Sequence, residues 1–426
     1  MKRVVTFLLA AGLVFAVAAP ATAAPPSSDP KTDARDAAAW IAERVNASGF
    51  IPSSASPTTA DLASSAQAVT ALAAAGVGKS KVAALLAYLG SHIDAFVTAN
   101  GFDDPGAIAY LILAAKAGGA DPTSFGPAHA DLVTRLVATQ QPDGLFGLAA
   151  NATFTGVFDQ GLSLLALHAA GIANPHGVTW LEGQQCADGS FTAFRADTTV
   201  ACPAVNTTTF VGPDTNSTAL ALLGLIAQGD NTAAAKAETA LRAVRNAGGG
   251  WGFLSVSTQA TDGNSTGLVL EALRTVSGVA DQQGILALLA LQVGCAGAAA
   301  DRGGIALQPD SMGRLAGNMF ATVQATAALA EVALPVTSAT ISSDVPTPCA
   351  STSTTTVSTT STTVAVAGST VASTGSTVQP STTTVAATTG AQLPRTGTSS
   401  APIAIVALCL LTAGTLFVGG ARRRRT

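Results

Sequence analysis

Charge, aromatic side chains and histidine are all scarce in this chain of 426 residues. Only 11% of the residues are charged and 5% aromatic, with 2 Tyr, 3 Trp, 3 Met and 4 His in all. Each scarcity excludes something. The 48% hydrophobic content comes mostly from Ala, Val and Leu, which favours helix over an aromatic-rich β-sandwich. A formal net charge of -4 offers no basic field to draw in phosphate, so nucleic acid is not a partner. Four histidines without a Cys-x-x-Cys or Cys/His cluster give no zinc spacing, so neither a metal nor a cofactor is expected. Acid is missing altogether after Asp344. The chain is therefore segmented, with a folded body between two ends of different character.

Lys2 and Arg3 precede an apolar run at 4–19, and Ala21, Thr22 and Ala23 then supply a small-residue cleavage site, so residues 1–24 read as a secretory signal peptide. Near the other end Leu393-Pro394-Arg395-Thr396-Gly397 stands before an apolar stretch at 401–420 and four arginines at 422–425. In this order and place, residues 393–397 resemble the sorting signal of Gram-positive surface proteins. The resemblance implies that a sortase cuts between Thr396 and Gly397 and joins Thr396 to a cell-wall peptide. The body is then extracellular, anchored to the cell wall or plasma membrane. About 20 apolar residues at 1.5 Å rise cross a hydrocarbon core of roughly 30 Å, so 398–426 reads as one transmembrane helix with an Arg tail. Residues 350–392 are dominated by Ser and Thr and carry no charge, which makes them a disordered stalk.

The folded domain is thus expected at 25–349. Once Cys409 is assigned to the membrane segment, Cys186, Cys202, Cys295 and Cys349 form an even set in an oxidising space. Four cysteines allow three connectivities; Cys186 with Cys202 and Cys295 with Cys349 close the shorter loops at least entropic cost.

From 33 to 335 the chain repeats a unit of about 50 residues: a helix, a Gly-rich turn with an aromatic, and a second helix. The turns are centred on Gly49-Phe50, Gly101-Phe102, Gly144-Leu145-Phe146, Gly189-Ser190-Phe191, Trp251-Gly252-Phe253 and Gly303-Gly304-Ile305. Six turns imply twelve helices. The second helices start at Asp61, Asp214 and Asp262, where Asp, Asn and Ser before the apolar run read as caps, and Ala and Leu then fill almost every position. Helices of that kind must be buried, whereas the first helices carry charge on one face. Inner and outer helices therefore alternate, in a closed double ring or an open superhelix. An insertion at 192–213, containing Cys202, reads as a lid or binding loop.

Gln141 to Gly147, Gln185 to Phe191, Gly249 to Phe253 and the helices starting near Asp214 and Asp262 resemble the repeats of squalene-hopene cyclases and protein prenyltransferases. The resemblance implies an all-α (α/α)6 toroid of six helical hairpins, a ring shared by transcobalamin-type vitamin B12 binders. In the cyclases an inner helix opens with Asp-x-Asp-Asp-Thr-Ala, whose middle acid protonates an alkene. Aligning Asp214-Thr215-Asn216-Ser217-Thr218-Ala219 on that motif puts Asn216 in the acid's place, and Asn264 repeats the substitution. An amide delivers no such proton. Asp103-Asp104 reads as a solvated cap, and Asp159 is the best remaining single acid. Prenyltransferases hold zinc with Asp, Cys and His on inner helices; here no cysteine is expected on one, and His168 reads as a hydrogen-bonded core residue.

Three functions remain. One is a non-catalytic binding module for a small amphipathic ligand, corrinoid or glycan, with Asp214, Asn216, Asp262 and Asn264 at inner-helix starts and the turn aromatics Phe146, Phe191, Trp251 and Phe253 as its binding candidates. The alternatives are a wall-associated enzyme of the terpene-cyclase-like or (α/α)6 carbohydrate-active class, with Asp159, Asp214 or Asp262 as its acid, and a structural spacer.

Overall fold

The computed structural model describes residues 29–99, 101–148, 155–337, 339–345 and 347–349. The signal peptide, the stalk, the sorting motif with Leu393, Pro394, Thr396 and Gly397, and the C-terminal apolar helix expected from sequence lie outside the described residues.

Capping starts the inner helices. Asp61, Asp104, Asp214, Asp262 and Asn318 accept hydrogen bonds from first-turn amides of α2 (Leu62–Ala74), α5 (Pro105–Gly118), α9 (Thr215–Ala227), α11 (Gly263–Ser277) and α13 (Met319–Leu329). The sixth, α7 (Val157–Ala169), follows Gly156 without a side-chain cap. Ala and Leu then take most positions, and in α9 residues 215–225 are all buried. A helix apolar on all sides has to be surrounded. Accordingly α2 packs on α5, α5 on α7, α7 on α9, α9 on α11, α11 on α13, and α13 back on α2. The ring is closed, which decides between the two arrangements that the repeat leaves open.

The outer layer is α1 (Pro30–Arg44) against α13 and α2, α3 (Lys79–Ser91) against α2 and α5, α6 (Leu132–Ala138) against α5, α8 (Pro175–Gln184) against α7 and α9, α10 (Asn231–Ala243) against α9, and α12 (Gln282–Leu289) against α11 and α13. Together with the inner six these are the twelve expected helices; a short α4 (Ile93–Val97) is additional. Two antiparallel hairpins, β1 (Pro52–Ser53) with β2 (Ser56–Ala60) and β3 (Thr98–Ala99) with β4 (Phe102–Asp103), decorate the first two turns. Among the described residues no helix is long and apolar enough to cross a membrane.

One device holds five of the six turns. The side-chain oxygen four residues after the cap position accepts the turn's backbone N–H: Ser65 from Ile51 at 2.9 Å, Gln160 from Phe146 at 2.8 Å, Thr218 from Phe191 at 3.0 Å, Thr266 from Trp251 at 3.0 Å and Thr322 from Ile305 at 2.9 Å. In α5 that position is Ile108, which offers no acceptor, and Phe102 of the corresponding turn is left 55% exposed.

Close packing sets the ring wall. Gly161 and Gly224 let α7 and α9 meet backbone to backbone: a Cβ on Gly161 would strike the Leu220 carbonyl, and one on Gly224 would come within 2.8 Å of the Gly161 carbonyl. Both expected disulfides are formed, Cys186–Cys202 and Cys295–Cys349, with Cα separations of 5.7 and 5.5 Å. The first ties the 192–213 insertion to the fourth turn. The second ties the segment after α13 to the loop after α12. His168 is exposed in the last turn of α7, not a hydrogen-bonded core residue, because the buried stripe of that helix ends at Leu167.

Candidate functional site

Because the inner helices start in register, residues equally far from their cap positions share a layer of the ring. Six residues after Asp61, Asp104, Gly156, Asp214, Asp262 and Asn318 stand Gln67, Tyr110, Leu162, Leu220, Leu268 and Gln324, and all six line one cavity of about 60 Å³. Three residues further, Thr70, Leu113, Leu165, Glu271 and Ala327 line the same chamber. It is an axial chamber, with leucine its commonest lining residue. Leu334 and Val336 from the segment after α13 also line it.

A larger cavity of about 830 Å³ lies at the helix starts. Its apolar lining includes Trp40, Phe210, Phe253, Met319 and Phe320, and its polar lining includes Asp61, Ser64, Asp262, Asn264 and Asn318. Gln67 lines both cavities, so the chamber lies directly beneath the mouth. Phe210 comes from the insertion, which turns back at the Asn206–Val211 bridge and so contributes to the mouth. Arg44 stacks over Trp40 at 3.5 Å and donates to the Ala300 carbonyl, fixing one rim.

Of the residues singled out in the sequence, Phe253, Asp262 and Asn264 line the mouth. Asn216 is buried beside Asn264, its Nδ2 donating to Asn264 Oδ1 at 3.0 Å. The side chains of Asp214 and Asp262 are occupied as caps, accepting from Ser217 N at 2.7 Å and Ser265 N at 2.9 Å. Burial pushes both carboxyls up to about 6, against the pull of those amides. Phe146, Phe191 and Trp251 are fully buried packing residues, and Trp251 Nε1 donates to the Leu241 carbonyl at 2.7 Å. They lie in the wall and line neither cavity.

Asp159 stands in the first turn of α7. It lies deep among protein atoms without being sealed off; burial pushes its pKa up to about 7, and the Asp104 charge adds to the shift. Gly106 makes room for it, since a Cβ there would collide with Asp159 Oδ1. Asp104 itself caps α5, accepting from Gly106 N at 2.9 Å.

Sequence reading passed over two features. Glu271 is 4% exposed in the chamber wall, its carboxylate makes no hydrogen bond among the described residues, and burial holds its pKa well above the usual carboxylate range. Its signal was a single acid inside the apolar run Leu268 to Leu273. The other is Gly263-Asn264-Ser265-Thr266-Gly267, which has Gly-x-Ser-x-Gly spacing. Ser265 opens a helix after a loop, not at a strand-to-helix elbow, and no histidine lines the mouth, so no triad is assembled. Among the described residues the one cluster of metal-ligand types is Asp36, Cys295 and Cys349. Its two sulfurs are spent on a disulfide, and Asp36 accepts the Cys349 amide at 3.2 Å.

No protein-family model and no curated protein matches the chain. Solved structures do. The chain is similar to a protein from Actinoplanes at 18% identity over 71% of this chain and 99% of that one, with a TM-score of 0.48. It is similar to the type II terpene cyclase MstE from Scytonema at 16% identity over 71% and 97%, with a TM-score of 0.49. It is also similar to a wild-type glycosidase at 15% identity over 72% and 96%, with a TM-score of 0.47. These likenesses concern mostly helical architecture alone; the closure of the ring rests on the helix contacts described above.

Proposed function

We propose that the chain is a surface-displayed binding module that holds an amphipathic ligand in the mouth of its ring. The observation that carries this reading is the 830 Å³ mouth, in which Phe210, Phe253 and Phe320 face polar groups of Asp61, Asn264 and Asn318. A concave site of that size with a mixed lining suits a small molecule. It also counts against a bare spacer, which needs no cavity. The neutral Asn216–Asn264 pair stands where the cyclase resemblance would have an acid, which favours holding over protonation. Display outside the cell is supported by the signal peptide, the Ser/Thr stalk and the sorting motif read from sequence, and by the two disulfides. In this plan 25–349 is the ring domain, 350–392 the stalk and 398–426 the anchor, with sortase and cell-wall peptide as its processing partners.

The test is titration of the full chain with amphipathic molecules of graded length. Phe253→Ala is expected to weaken binding by about tenfold while leaving the thermal unfolding midpoint within a few degrees. Equal affinity in the two proteins would remove Phe253 from the site.

A second reading, a lipid- or carbohydrate-processing enzyme, is favoured by one observation: Asp159 is an interior acid poised near neutrality. Under that reading Asp159→Asn abolishes product and leaves binding intact.

A further inference from the structure

The axial chamber pairs an apolar wall with polar groups that lack partners of one kind. Leu113, Leu162, Leu165, Leu220, Leu268 and Val323 supply the wall. Its volume is about 60 Å³. Among the described residues the Glu271 carboxylate that lines it has no hydrogen-bond partner, and Gln324 Oε1 is buried without one. The orientation of Gln324 follows from its neighbour. Gln67 Nε2 donates to the Ala63 carbonyl, so Gln67 Oε1 faces Gln324 and accepts its Nε2 at 3.0 Å. What Gln324 has left over is therefore its oxygen. As a carboxylate Glu271 only accepts, as Gln324 Oε1 does, and neither Tyr110 nor Thr70 donates to them.

Charge points the same way. Of the elements around the chamber, α2, α9 and α13 carry no titratable side chain, and neither does α12 behind α11. From α5 the chamber meets Tyr110, with Asp104 at that helix's cap and Lys116 in its last turn. α7 brings Asp159 in its first turn and the exposed His168 in its last. On α11 the other charge is Arg274, which forms no ion pair with Glu271. Glu331, just after α13, is not among the chamber residues. No cation lines the chamber.

We propose that the axial chamber binds an alkylammonium group, its apolar carbons against the leucines and its N–H donors on the Glu271 carboxylate and Gln324 Oε1. The proposal deepens the binding reading and rests on it for any ligand whose body extends into the mouth. An ammonium enters, any proton that the Glu271 carboxyl carries leaves to solvent, and an ammonium–carboxylate pair remains. Affinity therefore rises with pH until the amine itself deprotonates. A lone buried charge is costly, so a cation that brings several donors is the ligand that relieves this site.

The experiment is calorimetric titration of the full chain with n-pentylamine, 1-pentanol and n-decylamine near neutral pH, in buffers of different ionisation heat. Pentylamine is expected to bind at least about tenfold more tightly than pentanol, with any proton exchange a release and not an uptake. Glu271→Gln should cost pentylamine at least about tenfold and leave pentanol unchanged. Leu268→Trp, which fills the chamber, should abolish both. Equal binding of amine and alcohol, binding with proton uptake, or binding that survives Leu268→Trp would each overturn the assignment. The comparison of amine with alcohol needs only the unaltered protein, so it decides even where a variant does not fold. Decylamine separates a free small amine from the head of a longer ligand: if Phe253→Ala weakens decylamine and spares pentylamine, the two cavities act together. If Phe253→Ala spares both while Glu271→Gln weakens both, the mouth reading fails and the chamber assignment stands.

Discussion

Asn216 on α9 donates its side-chain amide to the side-chain oxygen of Asn264 on α11 at 3.0 Å, with both residues buried. The two occupy the same position in consecutive inner helices, two residues after Asp214 and Asp262, so the bond follows directly from the register of the repeat. Among the described residues Asn216 Oδ1 and Asn264 Nδ2 have no partners. The hub is thus neutral and polar at this level, and it has unsatisfied amide capacity beside the mouth.

Replacing Asn216 by Asp puts a carboxyl where the pair has no countercharge. Asn216→Asp is expected to destabilise the fold by about 1–3 kcal/mol at neutral pH, from desolvation and loss of the donated hydrogen bond. The new acid has a raised pKa in the folded state, so the loss should shrink as pH falls and the group protonates. Chemical denaturation of both proteins at pH 4 and pH 7 checks it; an equal loss at both pH values would place the residue in contact with solvent.

The interior acids set a pH dependence for the wild type. Asp214 and Asp262 are pushed up to about 6 and Asp159 to about 7, from an ordinary value near 3.8. A folded-state pKa above the unfolded one gives stability that is present at low pH and lost as pH rises through the folded value. These groups should therefore lower stability between about pH 4 and pH 7, and Asp159→Asn should flatten the upper part of that decline. A stability curve that rises through this window in denaturant titrations would contradict the burial of these acids.

Each turn leans on one side-chain acceptor. Thr218→Val removes the acceptor of the buried Phe191 amide at similar volume, with an expected cost of about 1–3 kcal/mol, and Thr266→Val does the same at Trp251. Ile108→Thr supplies the acceptor missing from the second turn. Its expected effect is partial protection of the Asp103 amide in hydrogen exchange, two residues after Gly101 as the captured amides follow the other turn glycines, with no such change at Phe191.

The Cys186–Cys202 bridge closes a loop with a sequence separation of 16. Loop-closure entropy puts its contribution at about 3 kcal/mol. Substituting both cysteines by serine should lower stability by roughly that amount and weaken ligands that touch Phe210, leaving those confined to the axial chamber unaffected. Ligand affinities measured with oxidised and doubly substituted protein make the comparison.

Much of this architecture was legible in the chain itself. Asp or Asn before Ser and Thr, then unbroken Ala and Leu, marks a capped and buried helix whatever surrounds it, so α2, α9 and α11 could be placed. Ring closure was not legible, because the contact of α13 with α2 joins residues far apart in sequence and leaves no local pattern. The aromatics mislead for a related reason. Phe146, Phe191 and Trp251 share a motif with Phe253, but only Phe253 lies past the N–H that the inner helix captures, so it alone of the four reaches the mouth. Glu271 escaped notice because a single acid in an apolar helix resembles a solvated position until the helix on every side is known. Asn216 and Asn264, in contrast, stood out as a repeated substitution, and their bond to each other appears only in the fold.

The central claim is that the ring holds a ligand and does not convert it. Its most direct measurement is recovery of the small molecule retained by the full chain after incubation with cell-envelope extract, with mass spectrometry of the bound and free fractions over time. The account predicts one retained amphipathic species, unchanged in mass and lost from Phe253→Ala. A product that accumulates with wild type and vanishes with Asp159→Asn would contradict it.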